Sequence, residues 1–257
     1  MNPALDRTAL QPSAPWRRID IVEETGSTNA DLLARAAAGE DIAGAVLFAE
    51  FQNAGRGRNG RSWATPPRSQ IAMSVGVDAS GVPPEAWGWL PLLTGVAVVD
   101  TIRTYGVAAG LKWPNDVLVG NGKLAGILAE VSGQVVVVGV GLNVGFTADE
   151  SPDPVATSLT MLGVPDVDRT ALAAKLLDAL GIRVQRWRNQ PGADDVLRAD
   201  YRNSSATIGT RVRATLPGGT AITGTATDID GSGRLLIDTG ADISTVSAGD
   251  ISHLRPA

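Results

Sequence analysis

The pattern of the sequence changes near residue 205, and this change constrains the fold most strongly. Before it, long apolar or amphipathic segments alternate with loops. From Ile208 onward, short stretches of alternating polar and apolar residues are separated by Gly-Gly, Asp-Gly and Gly-Ser pairs. Such a pattern is typical of a small all-β unit. We predict a flexible leader over residues 1–17, a larger domain over 18–205 and a β-domain over 206–257.

Composition excludes several classes of chemistry. The chain has no cysteine and one histidine, His253, which excludes disulfides, thiolate zinc sites, iron–sulfur clusters and cysteine nucleophiles. The formal net charge of −5 argues against general affinity for nucleic acids or anionic membranes. No apolar segment is long enough to span a bilayer, and no secretion signal is evident, so we expect a cytoplasmic protein without membrane association.

Hydrophobic periodicity predicts strands and helices in the first 205 residues. The predicted strands are 18–23, 45–51, 71–77, 109–113, 116–119, 123–131 and 134–143. The predicted helices are 30–39, 87–105, 168–187 and 193–203. Ser27 or Thr28 is expected to cap the first helix.

Residues 52–69 form a predicted loop that carries positive charge on an acidic protein. The loop contains Arg56, Arg58, Arg61 and Arg68 and no acidic residue. Its glycines allow the backbone to approach a ligand closely, and clustered arginines suit phosphate or carboxylate. A solvated, mobile loop without a ligand is the alternative.

The segment LKWPNDVLVGNGKLAGILAE holds two of the chain's three lysines, Lys112 and Lys123. The turn at residues 120–122 predicts a hairpin, and we expect the two lysines on consecutive strands of a tight antiparallel unit. Asn115 and Asp116 lie between them in the sequence. The segment therefore predicts a site with two ammonium groups, an amide and a carboxylate, although a surface hairpin with ordinary charges is the alternative.

Two glycine-rich stretches do not predict a dinucleotide site. GRGRNG and GVGLNVG resemble the Rossmann fingerprint, but neither is followed by a helix that could hold pyrophosphate. The sequence also lacks the Walker A motif of P-loop proteins.

Four motifs together resemble the biotin–protein ligase family. These are GSTNADLL, EFQNAGRGRNGRSW, KWPNDVLVGNGKLAGILAE and VVGVGLNV, in this order over about residues 20–146. The resemblance implies an α+β fold: a mixed sheet with helices, related to class II aminoacyl-tRNA synthetases, followed by an SH3-like β-domain. It also implies an ATP-dependent enzyme without a prosthetic group. Biotin is activated as biotinyl-5′-AMP and then transferred to a lysine of a biotin carboxyl carrier domain.

The resemblance also implies roles for individual residues. Lys123, Arg58 and Arg56 would be catalytic. The residues expected to bind biotin are Ser27, Thr28, Asn29, Gln52, Arg56, Gly57, Arg58, Trp63, Lys123 and Gly126. The residues expected to bind ATP or the adenylate are Arg58, Arg61, Lys112, Asn115, Asp116 and Asn143. Mg²⁺ is expected with ATP, but its ligands are not assigned. Trp63 would be an apolar lid, whereas Trp113 is expected in the core.

Some members of this family carry an N-terminal DNA-binding domain. About 17 residues precede the first predicted strand, whereas an independently folding domain of that kind needs roughly 60 residues. We therefore expect a short form without specific DNA binding, which is a monomer or a weak, ligand-dependent homodimer.

Two other functions are considered. A lipoate–protein ligase shares the fold and the adenylation chemistry, but the arginine loop and the KWPND segment favour biotin. A nucleic-acid-binding module is disfavoured because residues 207–257 contain four arginines and five aspartates without interleaved basic and aromatic residues.

Overall fold

The computed structural model of the chain describes residues 2–190, 192–247 and 249–253. Its strands are β1 (Arg18–Thr25), β2 (Ala45–Gln52), β3 (Gln70–Asp78), β4 (Gly110–Lys112), β5 (Asp116–Val119), β6 (Gly122–Ser132), β7 (Val135–Asn143), β8 (Arg211–Thr215), β9 (Ala221–Ile229), β10 (Leu235–Asp238), β11 (Ile243–Val246) and β12 (Asp250–His253). Its α-helices are α1 (Thr28–Ala37), α2 (Trp89–Arg103), α3 (Arg169–Asn189) and α4 (Asp195–Ser204). Each segment predicted as a strand or helix before residue 205 corresponds to one of these elements.

The first seven strands form one mixed sheet in the order β1-β2-β3-β7-β6-β5-β4. The β1–β2 pair is parallel and the other neighbouring pairs are antiparallel. The predicted hairpin is confirmed, because Val119 pairs with Gly122 and Gly120 takes the left-handed φ of 57° that such a turn needs. The expectation that Lys112 and Lys123 lie on consecutive strands is wrong: β5 separates β4 from β6.

The two faces of this sheet have different neighbours. On one face, valines of β7 join a large core with α2 and α3. On the other face, Val137 packs in a smaller cluster with Leu32 of α1. Because side chains alternate along a strand, Gly139 and Gly141 of β7 share the α1 face with Val137. This face is therefore sparsely covered next to the N-terminus of α1.

The five strands after residue 205 form a second, antiparallel sheet in the order β11-β10-β9-β8-β12. Two buried tryptophans hold it against the first domain. The indole N–H of Trp89 donates to the carbonyl oxygens of Asp230 and Gly231 at 3.1 Å, and that of Trp113 donates to the Gly233 carbonyl at 3.0 Å. The expected α+β organisation is confirmed, and the buried position of Trp113 agrees with its expected core role. Residues 254–257 of the predicted β-domain lie outside the described residues.

The leader differs from its prediction. Leu5, Leu10 and Trp16 are buried, and the Trp16 indole N–H donates to the Leu177 carbonyl at 2.9 Å. Residues 2–17 are thus packed on the first domain rather than extended into solvent. A short segment of this kind has no periodicity that reveals its contacts in advance. Among the described residues, no helix is both long and apolar enough to cross a membrane.

Candidate active site

A cavity of about 470 Å³ lies where β6 and β7 meet the N-terminus of α1. Every residue that the sequence predicts for the site lines this cavity. These lining residues are Ser27, Thr28, Asn29, Gln52, Arg56, Gly57, Arg58, Arg61, Trp63, Lys112, Asn115, Asp116, Lys123, Gly126 and Asn143. The second sheet contributes Asp250, Ile251 and Ser252. Two domains therefore form one cavity of a size usual for small-ligand sites.

Glycines on the floor of the cavity make room for Trp63. Gly126 and Gly141 are paired across β6 and β7. A Cβ at Gly126 would lie 3.0 Å from the Trp63 ring, and one at Gly141 would overlap the indole. The Trp63 indole N–H donates to Oε1 of the buried Gln70 at 2.7 Å, which fixes the ring on the floor of the cavity. Gly126, expected to bind biotin, is thus covered by Trp63, so a ligand packs on the indole or displaces it.

The N-terminus of α1 is held by a polar network. The Ser27 hydroxyl caps the helix, accepting from the Ala30 N–H at 3.5 Å, so its predicted cap role is confirmed. Gln52 Oε1 accepts from the Thr28 N–H at 2.9 Å and from the Thr28 hydroxyl at 3.2 Å. The residues at this helix start are buried, and the helix dipole favours an electronegative atom here.

The arginine loop is folded back on itself. The Gly57 N–H donates to the Arg61 carbonyl at 2.7 Å, and the Trp63 N–H donates to the Gly55 carbonyl at 2.8 Å. Any Cβ at Gly55 would overlap the Trp63 carbonyl, so the close approach of the two loop segments requires glycine at this position. Residues 55–63 of the predicted loop therefore form a compact segment that lines the cavity, and we call this segment the flap.

Two arginines of the flap are paired with carboxylates. Arg56 Nη2 lies 2.7 Å from Glu130 Oε1 at the end of β6. Arg61 forms an ion pair with Asp250 of β12, which joins the flap to the second sheet. Both arginine side chains are about half exposed or more, so each pair contributes modestly to stability.

Arg58 has a different environment from its two neighbours. Its Nη1 donates to Asn115 Oδ1 at 3.1 Å, and among the described residues no carboxylate lies within ion-pair distance of its guanidinium. Burial lowers the pKa of Arg58, and the more distant carboxylates of Asp250 and Asp116 partly oppose that shift. A partly desolvated cation without an anionic partner is suited to bind an anion.

Lys123 lines the cavity and is paired with a carboxylate. Its Nζ is 2.7 Å from Asp116 Oδ1 and 5.5 Å from the centre of the Trp63 ring. Lys112 lies on β4, opposite Asp116 of β5, and its charge contributes to the lowered pKa of His253, of which burial is the larger cause. Two ammonium groups and one carboxylate thus share this side of the cavity.

Asn143 offers a hydrogen-bond acceptor to the cavity. It is buried, and its Nδ2 donates to the Lys123 carbonyl at 3.2 Å and to the Thr157 carbonyl at 2.9 Å. Its Oδ1 is buried without a hydrogen-bond partner among the described residues. Because a buried acceptor without a partner is costly, this atom is well placed to accept from an N–H of a ligand.

Comparison with known proteins assigns the chain to a family. Residues 25–146 match the biotin/lipoate A/B protein ligase family, and residues 207–254 match the biotin protein ligase C-terminal domain. The chain is 53% identical to the biotin–[acetyl-CoA-carboxylase] ligase of Mycobacterium tuberculosis, with 99% of this chain and 98% of the relative aligned. The chain belongs to the biotin protein ligase family. It is thus a ligase, and the resemblance seen in its motifs is confirmed.

Relatives of this ligase differ in length and function. The bifunctional ligase/repressor BirA of Escherichia coli is 31% identical over 93% of this chain and 74% of its own length. Among solved structures, the biotin protein ligase of Aquifex aeolicus in complex with biotin and ATP covers 94% of this chain and all of its own, with 26% identity and a TM-score of 0.79. The described fold is therefore that of a biotin protein ligase.

The cavity of the ligase holds few donors that suit Mg²⁺. This ion prefers oxygen ligands and is often held by substrate phosphates with one or two carboxylates. Among the described residues, no group of three or more His, Cys, Asp or Glu side chains could hold a metal. Asp116 and Asp153 nevertheless line the cavity. The donor set therefore suits an ion that arrives with a nucleotide, and not a metal held by protein alone.

Sequence reasoning missed several residues of the ligase site. Asp250 follows Arg61 by 189 positions, and Glu130 follows Arg56 by 74, so neither partner is signalled by local spacing. Gln70 is the first residue of the buried strand β3, and this position does not indicate that its side chain contacts Trp63. Gly141 lies in GVGLNVG, which was considered only as a Rossmann-like motif, so its contact with Trp63 was not predicted.

Proposed function

We propose that this ligase activates biotin with ATP and transfers it to a lysine of a biotin carboxyl carrier domain. The observation that carries this proposal is the convergence of all the predicted site residues on one cavity. Family membership supports the chemistry, and the M. tuberculosis relative is named as a ligase for acetyl-CoA carboxylase.

In the proposed first step, a carboxylate oxygen of biotin attacks the α-phosphorus of ATP. The bond from this phosphorus to the bridging oxygen breaks, and pyrophosphate leaves. Two anions must approach each other, so cations in a partly desolvated site lower the barrier. Arg58 has no carboxylate partner among the described residues, and Lys123 Nζ can exchange Asp116 for an oxygen of the reacting groups. We assign both residues to this step.

In the proposed second step, the ε-amine of a carrier lysine attacks the carbonyl carbon of biotinyl-5′-AMP. The amide bond forms, the amine loses a proton, and AMP leaves with the anhydride oxygen. No covalent enzyme intermediate is needed, which agrees with a site without cysteine. The main task of the protein between the two steps is to keep the anhydride from water.

The cavity suggests how the two substrates are arranged. We place the ureido group of biotin near the buried N-terminus of α1, where Ser27, Thr28 and Gln52 supply polar atoms. ATP is placed at the opposite end, where the free acceptor of Asn143 suits an amino group of the base. Lys112, Arg61 and Asn115 would contact phosphates there, and Asp116 would be a carboxylate ligand for Mg²⁺ bound to them.

Discrimination between biotin and lipoate tests the substrate assignment. The experiment incubates the purified chain with ATP, Mg²⁺ and equal concentrations of biotin and lipoate. A biotin carrier domain and a lipoyl carrier domain are both present as acceptors. We expect a mass gain of one biotinyl group on the biotin carrier. Preferential lipoylation would contradict the assignment and favour a lipoate ligase.

The proposed partners follow from this reaction. The carrier domain of an acyl-CoA carboxylase is the macromolecular substrate, in the cytoplasm. We expect no specific DNA binding and no membrane association. The oligomeric state is expected to be a monomer or a weak homodimer formed with ligand.

We expect Arg58→Gly to release biotinyl-5′-AMP into solution. The substitution removes a cation that holds the adenylate but leaves Lys123 to support the first step. Losing one charge-assisted hydrogen bond of about 1.5–3 kcal/mol weakens retention by roughly 10–150-fold. The measurement is biotin labelling of a bystander protein, such as albumin, in the presence of biotin and ATP. Arg68→Gly, at the far end of the same loop beside the exposed Glu23, is the control. Continued pyrophosphate release without extra bystander labelling would show that Arg58 does not retain the adenylate.

The flap should become more protected when substrates bind. The exposed ion pair of Arg61 with Asp250 is weak enough to open and to be replaced by contacts with substrate. We expect amide hydrogen exchange over residues 55–63 to slow sharply on adding biotin and ATP. Equal exchange with and without the two substrates would contradict a closing flap.

A further inference from the structure

Glu130 joins two parts of the cavity that the sequence does not connect. It lies on β6, on the same face as Gly126 and Leu128, because alternate residues of a strand share a face. We infer that Glu130 is a positioning residue, which fastens the arginine flap to the helix start where biotin is proposed to bind. This inference rests on the proposed function for its consequence in catalysis, but the contacts themselves do not depend on it.

The Glu130 carboxylate bridges the two parts with separate oxygens. Oε1 accepts from Arg56 Nη2 at 2.7 Å, and Oε2 accepts from Asn29 Nδ2 at 2.9 Å. The Arg56 side chain is 48% exposed and Asn29 is 3% exposed, so the bridge is far less solvated at Asn29 than at Arg56. A single carboxylate thus bonds both to the flap and to the first turn of α1.

Asn29 is held in one orientation by its surroundings. Its amide nitrogen also donates to the Leu128 carbonyl at 3.1 Å, so Glu130 and Leu128 use both N–H donors. Its Oδ1 accepts from the Ser74 hydroxyl at 2.6 Å. A Cβ at Gly139 would collide with this oxygen, so the amide fits only over glycine. Asn29 therefore acts on biotin by shaping the site, since its donors are committed to protein acceptors.

The network continues from Asn29 to the residues proposed for the ureido group. The Ser74 and Thr28 hydroxyls lie 2.6 Å apart, and Gln52 Oε1 accepts from the Thr28 backbone N–H at 2.9 Å. Movement of Glu130 would alter acceptor geometry along this whole path. The charge of Arg56 is likewise committed to Glu130, which makes Arg56 a fastening for the flap, whereas Arg58 remains available for phosphate or carboxylate.

Substitution of Glu130 should therefore weaken biotin binding more than turnover. We expect Glu130→Ala to raise the KM for biotin by about tenfold, the loss for one charge-assisted hydrogen bond, with kcat for pyrophosphate release changed by less than about threefold. Glu130→Gln keeps an acceptor for Asn29 and should recover part of the loss. The double variant Arg56→Gln, Glu130→Ala should raise the KM for biotin no more than the more affected single variant does. Both substitutions break the same Arg56–Glu130 contact, so their effects should not add.

A control variant and a second measurement separate this role from general damage. Glu23→Gln removes a carboxylate that pairs with Arg68 of the same loop, but Glu23 is 75% exposed and away from the cavity, so its KM should be unchanged. Without any substrate, amide exchange over residues 55–63 should be faster in Glu130→Ala and unaltered in Glu23→Gln. This measurement needs no activity, so it stands apart from the proposed function. Equal exchange in Glu130→Ala and the unaltered chain, or additive effects on KM, would overturn the inference.

Discussion

Lys123→Ala is expected to lower the rate of biotin adenylation by roughly 10²–10³, the usual effect of losing one preorganised electrostatic group. The Lys123 ammonium group forms an ion pair with Asp116 at 2.7 Å, and its Nζ lies 5.5 Å from the centre of the Trp63 ring. Without it, Asp116 is left as an uncompensated negative charge beside the approaching carboxylate and phosphate. The measurement is the single-turnover rate of adenylate formation at saturating biotin and ATP.

The third lysine of the chain is the matched control for this prediction. Lys175 lies on α3, with its Nζ 4.9 Å from the centre of the Tyr105 ring, and does not line the cavity. Lys175→Ala should therefore adenylate biotin at the rate of the unaltered chain. A Lys123→Ala variant that is similarly unaffected would remove Lys123 from the proposed mechanism.

Arg169→Leu is expected to destabilise the fold by about 3–5 kcal/mol, because it leaves a buried carboxylate without its partner. Arg169 and Glu50 are each 2% exposed and form an ion pair at 2.7 Å. Arg169 also donates to the carbonyl oxygens of Gln70 at 3.1 Å and Pro3 at 2.9 Å, and the Leu5 N–H donates to Glu50. The pair thus ties the leader, β2, β3 and α3 together.

Equilibrium unfolding in denaturant at neutral pH measures this loss. The control is Arg17→Leu, which removes the cation of an ion pair with Asp41 in which both side chains are more than half exposed. Exposed pairs contribute about 0–1 kcal/mol, so the control should unfold close to the unaltered chain. Similar losses for the two variants would contradict the structural importance of the buried pair.

The sequence predicted the regular elements because their signals are local. Periodicity located α1 to α4, a predicted cap marked the start of α1, and the turn at 120–122 defined the β5–β6 hairpin. The packed leader was not predicted, because its buried apolar residues are isolated in the sequence and their partners are distant: Trp16 bonds to α3 and Leu5 to β2. Burial of an isolated side chain depends on the tertiary structure around it, which periodicity does not describe.

The site shows the same division between local and long-range information. Motifs identified the residues that line the cavity, including Arg58 and Lys123. They did not show that Trp63 stands on Gly126 and Gly141, since that contact joins a loop to two strands. The role of the second sheet was equally hidden, because Asp250 reaches the flap only when the tryptophan contacts have set the two domains together.

Biotin-dependent exchange of labelled pyrophosphate into ATP measures the proposed first step by itself, because it requires reversible adenylate formation and needs no carrier protein. We expect the purified chain to catalyse exchange with biotin and Mg²⁺ present, and we expect exchange to fall to background when biotin is omitted. Absence of biotin-dependent exchange, together with tight and salt-sensitive binding to DNA or RNA, would overturn the proposed function and favour a nucleic-acid-binding function.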